Sequence, residues 1–276
     1  VAVLNAEERA SFDDFGFVVL PEVFNRRDVN AMANEATRLA QWQVAISLAL
    51  GGATPRIDVR RRNGSVVLRQ MQPIIDVSPV FARYSRDERL LEPLRDLLGC
   101  EPVLLEEKLD YKQVLPGNPD VARGEDDESN SFYSDVAFNL LDGYPLETLT
   151  SVVAIDEATS DNAAVRVVPG SHRREWPLRP TWPPLLVDGS VQDTDAVPLA
   201  MAPGTVAILH AALVRTLTPN RSEAPRRAML VSHYPETHPI EHDKRNHRLR
   251  RAGQQAEDRY EELVYSGAKV PDYRLR

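Results

Sequence analysis

Six histidines and one cysteine are the side chains in this 276-residue sequence that could bind a transition metal through imidazole or thiolate: His172, His210, His233, His238, His242, His247 and Cys100. A metal site needs several such donors brought together. His238 and His242 have the i,i+4 spacing that puts two side chains on one helical face, but Pro239 lies between them. A chance pair is the simpler reading. Carboxylates concentrate in the run Glu125-Asp126-Asp127-Glu128, inside a Gly-, Pro- and Asp-rich stretch at 116–130. That run could hold a surface calcium ion, yet its spacing is not that of an EF-hand loop. A solvated lid or rim is expected there. Cys100 has no second cysteine to pair with, which suits a reducing compartment.

The elements that must position any chemistry are legible from caps and apolar spacing. Asn5 to Glu8 reads as a capping box opening a short helix that ends near Gly16. Phe17 to Leu20 reads as a strand. Asn25 caps a second helix to about Trp42, with Val29, Met32, Ala36 and Leu39 near one face. Residues 47–64, with the run Arg60 to Arg62, read as a loop. Val66 to Met71 reads as a strand. Ser78 and Asp87 cap two further helices, the second ending at Gly99. Beyond Pro102 the pattern changes to short apolar runs, at 103–115, 148–156, 163–168, 205–210 and 226–233, with no βαβ rhythm, which suggests an antiparallel sandwich or barrel. Residues 173–203, rich in Pro and Trp, form a long insertion of the kind that covers sites. Residues 244–265 have helical charge spacing and predict a peripheral helix.

Bulk composition narrows the function classes. The net charge of −8 argues against nucleic acid as the main ligand. There is no apolar run of 18 residues and no signal-peptide pattern, so a cytoplasmic chain with no membrane partner is expected. Only four of the 33 basic residues are lysines, Lys108, Lys112, Lys244 and Lys269, a bias that base composition would explain.

Several stretches resemble the phytanoyl-CoA dioxygenase family. They are Phe12 through Gly16 to Pro21; Glu107 to Gln113; Ala154-Ile155-Asp156-Glu157-Ala158-Thr159 leading to Asn162; Val165 to His172 with its Pro-Gly-Ser-His; Pro203-Gly204; and Thr218 to Ser222 followed by Arg226-Arg227. The family has a glycine after Asn162, where this chain has Ala163. The resemblance spans roughly residues 8 to 235. It implies a mainly β fold, a double-stranded β-helix (jelly roll) with helices packed on it. The expected organisation is a single domain over 1–276: helical support in 1–100, barrel core in 101–235, and a C-terminal extension in 236–276. It also implies Fe(II), 2-oxoglutarate and hydroxylation of a small molecule.

The resemblance places Tyr133, Asp135 and Arg215 where that family holds iron with two histidines and a carboxylate. Asp135 keeps the carboxylate. Tyr133 offers a phenol whose ordinary pKa near 10 makes phenolate costly. Arg215 has no lone pair and cannot ligate; it could instead pair with Asp135. A centre built from Asp135 and His210 is the alternative. For the 2-oxoglutarate carboxylate, the resemblance points to Arg226, with Arg227 as a second choice and Ser222 and Gln113 as helpers. The resulting expectation is no metal and no cofactor. It is a metal-independent, non-oxidative cyclase, isomerase or lyase of bacterial natural-product biosynthesis. Tyr133 would be the acid, Asp135 the base and Arg215 the oxyanion stabiliser. The alternatives are a non-catalytic ligand-binding protein, or an atypical Fe(II)/2-oxoglutarate dioxygenase. A small-molecule substrate and a monomer or homodimer complete the expectation.

Overall fold

The structure is a computed structural model; it describes residues 4–123, 131–180, 182–222, 224–238, 240 and 244–275. The acidic run at 125–128, His242 and Pro239 lie outside these residues.

In chain order the elements are α1 (Ala6–Phe15), β1 (Phe17–Leu20), α2 (Arg26–Leu50), β2 (Ile57–Arg62), β3 (Ser65–Met71), α3 (Pro79–Tyr84), α4 (Glu88–Leu98), β4 (Pro102–Val114), β5 (Phe132–Tyr133), α5 (Asp135–Asp142), β6 (Leu149–Ala154), β7 (Arg166–Val167), β8 (Val197–Pro198), β9 (Val206–His210), β10 (Arg215–Thr216), β11 (Ala228–Pro235) and α6 (Lys244–Tyr265). The strands form a seven-stranded sheet, β1-β9-β6-β11-β4-β3-β2, and a four-stranded sheet, β5-β10-β7-β8. Every pairing is antiparallel. The fold is therefore mainly β with helices, as two facing sheets rather than a closed barrel.

Alternation along the strands sorts side chains between two layers. One face of the large sheet carries Leu109, Val153, Met229 and Val231 and packs with Met32, Ala36 and Leu39 of α2. The opposite face carries Val152, Ala154, Leu209 and Leu230, which pack with Val165, Val167 and Leu213 from the small sheet's side. The cleft between the sheets is thus apolar at one end. Its other end is polar, because Thr150, Ser232, Glu106, Lys108 and Asp110 occupy the inward positions there.

Four expectations change. Helix α2 runs to Leu50, not Trp42, because Val44 and Ile46 continue its buried face and the stop comes only at Gly51. The stretch read as a loop at 47–64 contains β2, paired with β3 through Asn63 and Gly64, both at positive φ. That is the two-residue turn Asn-Gly favours in hairpins. The first hundred residues are also more than helical support, since β1, β2 and β3 belong to the large sheet. Finally, α6 is not merely peripheral: Glu257 is buried and binds Arg56. The turn at Ala163 keeps the left-handed backbone (φ 71°) that glycine adopts without strain.

One glycine fixes how β1 meets the start of β9. Gly204 has φ 88°, and its carbonyl accepts the N–H of Phe24 at 3.0 Å. A Cβ there would lie 2.0 Å from the Phe24 carbonyl oxygen. Gly204→Ala is expected to destabilise by about 2–3 kcal/mol, seen as a lower urea midpoint at unchanged m-value.

Candidate active-site cavity

Tyr133 and Arg215 face each other because β5 and β10 pair antiparallel with these two residues in register. Asp135 follows two residues later, at the first position of α5, whose N-cap Ser134 is extended. The Arg215 guanidinium donates through Nη2 to Asp135 Oδ1, and its Cζ lies 5.1 Å from the centre of the Tyr133 ring. Thr150 Oγ1 donates to Asp135 Oδ2 at 2.9 Å and lies 2.9 Å from Ser232 Oγ. With the Thr150 hydrogen committed to the carboxylate, Ser232 must be the donor of the second bond. Burial works against the charge of Arg215, but Asp135 and Tyr133 outweigh it, so its pKa rises. Arg215 is a fixed cation.

These groups line a cavity of about 270 Å³ between the sheets. One wall is ionic, with Arg69, Glu106, Lys108 and Asp110. The other holds Phe138, Pro183 and Leu185. Phe138 meets the Tyr133 ring edge-on at 5.9 Å, and Trp182 meets Phe138 edge-on at 5.7 Å. Thr150, Ser232, Lys108 and this aromatic wall escaped the sequence reading. The available signal was a polar residue at an inward position of an otherwise apolar strand.

Among the described residues, no histidine lines the cavity. His172 and His210 pack against each other instead, with ring centroids 5.4 Å apart and ring planes tilted by 51°. His172 Nε2 binds the Asp13 carbonyl at 3.2 Å, and His210 Nδ1 accepts the Ala212 N–H at 3.0 Å. The alternative centre of Asp135 with His210 therefore gains no support. His233 is buried, and burial pushes its pKa down to about 4.

Arg226 lies just before β11, 1% exposed. Among the described residues none of its three side-chain nitrogens has a hydrogen-bond partner, and Asp110 Oδ2 is 3.7 Å from Nη2. Asp110 lines the cavity, so Arg226 stands behind the ionic wall. Gln113 and Ser222 are placed elsewhere. They line a separate cavity of about 410 Å³, and Ser222 Oγ donates to Asn220 Oδ1 at 2.9 Å. Neither bonds to Arg226. Arg227 is committed to Asp156, at 2.7 Å and 2.8 Å, and to the Ala33 carbonyl.

The family model for phytanoyl-CoA dioxygenase (PhyH) matches residues 12–228. Ectoine dioxygenase from Sphingopyxis alaskensis is 30% identical over 176 residues, covering 62% of this chain and 51% of that protein. The chain spans about half the length of the ectoine dioxygenases it matches. Dioxygenase lolE1 from Epichloe uncinata is 22% identical, with 87% of each chain covered. Among solved structures, EctD from S. alaskensis with 2-oxoglutarate and 5-hydroxyectoine aligns at TM-score 0.63 and 24% identity, covering 86% and 78% of the two chains. The epimerase SnoN, in complex with Fe3+, alpha ketoglutarate and nogalamycin RO, aligns at TM-score 0.64 and 18% identity, covering 86% of each.

These relatives overturn the expectation of no cofactor. EctD has been solved with iron and with 2-oxoglutarate, and HygX from Streptomyces hygroscopicus with iron. Iron and 2-oxoglutarate are thus the cofactors to test against the residues present. On the 2-oxoglutarate side, Arg226 has the chemistry that suits a carboxylate, a buried guanidinium without hydrogen bonds among the described residues, set behind Asp110. The iron side does not fit. Among the described residues no three His, Cys, Asp or Glu side chains converge to hold a metal ion, and Asp135 is engaged at both oxygens. With residues 12–228 matching the family model, and with the facing sheets shared with its solved relatives, the chain belongs to the phytanoyl-CoA dioxygenase (PhyH) family.

Proposed function

We propose that this chain modifies a small molecule in the cavity beside Tyr133, Asp135 and Arg215, as an atypical member of the iron- and 2-oxoglutarate-dependent class. Tyr133 and Arg215 then stand at two positions where the family would place iron ligands.

The observation that carries this reading is Arg226. Burying a charged group with no hydrogen bonds costs several kcal/mol, roughly. Asp110 offsets part of that cost from 3.7 Å, too far for a hydrogen bond. A carboxylate seated on the guanidinium fork would make two charge-assisted bonds. 2-Oxoglutarate, when bound, would supply two of the four electrons that reduce dioxygen and leave as succinate and carbon dioxide, the small-molecule substrate supplying the other two. Iron enters the proposal through the relatives alone. The donors of the cavity do not match it.

What the chain's own residues do is clearer. Arg215 and Thr150 fix the Asp135 carboxylate in one orientation. Phe138 and Leu185 exclude water from one side. Arg226 orients an acid ligand from behind Asp110.

Arg226→Met is expected to weaken 2-oxoglutarate binding by roughly 100-fold, two charge-assisted hydrogen bonds being lost. Calorimetric titration of the wild-type and variant chains checks this. No binding to the wild type, or equal binding to both, would overturn the proposal.

A second reading is favoured by the engaged state of Asp135. A phenol, a carboxylate and a fixed guanidinium around one cavity suit proton transfer, and so isomerisation, cyclisation or elimination. The fold neighbour SnoN is itself an alpha ketoglutarate dependent epimerase, so a stereochemical outcome and 2-oxoglutarate are compatible there. The co-product separates the readings: succinate formed in step with turnover supports the first, and turnover that leaves 2-oxoglutarate intact supports the second.

A further inference from the structure

The charges of the cavity do not all cancel. Asp135 is paired with Arg215, and Asp110 with Arg226. Arg69, Glu106 and Asp142 each have partners of their own. Lys108, on the inward face of β4 opposite Leu230, lines the same cavity, and its side chain has no hydrogen bond or ion pair among the described residues. It is the ammonium left over for a ligand. Tyr133 and Phe138 line the same cavity, and with Trp182 they form a ladder of rings, each edge-on to the next with interplanar angles of 88° and 86°. The ladder runs from the cavity out to Trp182, which is 65% exposed. An indole held in this way by one ring, with its remaining surface open, is a platform for another ring.

We infer that the substrate is a planar aromatic molecule carrying an anionic group, most simply an aromatic carboxylate. Its ring packs on Phe138 and Trp182, and its acid meets Lys108. This rests on the reading of the cavity as the substrate site. Lys108 and the inner rings of the ladder, Tyr133 and Phe138, line one small space, and Trp182 stands just outside it beside Pro183 of the lining, so one ligand can use both features. The cavity, at about 270 Å³, falls near the lower end for small-molecule pockets, which favours one or two rings. Aliphatic acids would forgo the ladder, and neutral aromatics would leave Lys108 without a counter-charge.

The test uses three probes titrated calorimetrically into the full chain: 2-naphthoate, the neutral 2-naphthalenemethanol, and cyclohexanecarboxylate. The wild type should bind 2-naphthoate at least tenfold, roughly, more tightly than either of the others, from one charge-assisted bond or one aromatic pair. Lys108→Met should erase the preference for naphthoate over the alcohol while keeping aromatic binding. Trp182→Ala should weaken both aromatic probes and keep the preference between them. Equal binding of acid and alcohol to the wild type, discrimination that survives Lys108→Met, or no aromatic binding at all would each overturn the inference. Titrating the wild type with 2-oxoglutarate reads the earlier proposal separately. Selective naphthoate binding without 2-oxoglutarate binding sinks that proposal and leaves this one, and the reverse pattern sinks this one.

Discussion

Arg56→Met is expected to lower the free energy of unfolding by about 3–5 kcal/mol, the cost of leaving a buried charge without its partner. Arg56 is fully buried and joins four parts of the chain. Its Nη groups donate to Asp76 at 3.1 Å and 2.7 Å, and Nη1 to the Pro73 carbonyl at 3.0 Å. Its Nε and Nη2 donate to Glu257 of α6 at 2.5 Å and 3.2 Å. Glu257 also accepts from Gln43 of α2 at 2.9 Å, and Gln43 in turn accepts from Thr54 at 2.7 Å. Burial pulls the Arg56 pKa down, but Asp76 and Glu257 raise it further, so the guanidinium stays charged. Gly253 makes room for it, because a Cβ there would come within 2.5 Å of Arg56 Nε. Methionine keeps most of the side-chain volume, so the loss isolates charge rather than packing. Glu257 is then the stranded group, buried and unpaired. Arg56→Met with Glu257→Met should therefore recover at least about 2 kcal/mol of the loss, since apolar replacement of a whole buried pair is often near neutral. Urea unfolding of the three chains decides it. A loss below about 1 kcal/mol in the single variant, or no recovery in the double, would mean that the network contributes little to stability.

That network shows which parts of the fold a sequence exposes. Local rules worked where the physics is local. Asn5, Asn25, Ser78 and Asp87 cap the helices they were expected to cap, because an N-cap oxygen answers N–H groups only two or three residues away. The hairpin at Asn63-Gly64 was equally local and equally legible; the neighbouring arginine run drew the reading toward a loop instead. By contrast, nothing near Glu257 reveals a partner 201 residues earlier. Charge spacing gave the helix and hid the one buried acid on it.

The same division holds in the cavity. The pairing of Tyr133 with Arg215 spans two short strands, each only two residues long. Strands that short carry no periodicity, so family resemblance alone pointed to these positions. Once they were named, elementary chemistry foresaw that arginine beside a carboxylate would pair with it. It did not foresee Thr150 and Ser232, whose hydroxyls matter only because register brings β6 and β11 alongside. Nor did it foresee that Gln113 and Ser222 would stand apart from Arg226. The backbone of β4 at Lys112 has φ 45°, next to an irregularity in the pairing of β3 with β4. Past that point Gln113 lines another cavity.

Tyr133→His combined with Arg215→His is expected to raise the affinity of the chain for Fe(II) by roughly 100-fold or more over the wild type. Losing partners that merely orient a metal ligand costs about 10–100-fold in affinity, and this variant supplies two ligands outright while removing a cation. The geometry favours it. The two positions face each other across β5 and β10, and Asp135 already touches the Arg215 side chain. Without the guanidinium, Asp135 has one oxygen free, and Thr150 still orients the other. Two imidazoles and one carboxylate on one side of a cavity are the donor set of an open iron site. Anaerobic titration against a competing chelator gives the affinities, and Arg215→His alone serves if the double variant folds poorly, with a smaller gain expected. Affinity equal to wild type in a folded variant would show that the three side chains do not converge on one point, and the proposed ligand positions would fall with it. A gain would bring a second consequence. If Arg226 anchors 2-oxoglutarate within reach of the same centre, iron and 2-oxoglutarate must strengthen each other's binding by one common factor, because coupling between two sites is reciprocal. Measuring each affinity in the presence of the other closes that cycle, and a common factor of one would place Arg226 outside the site.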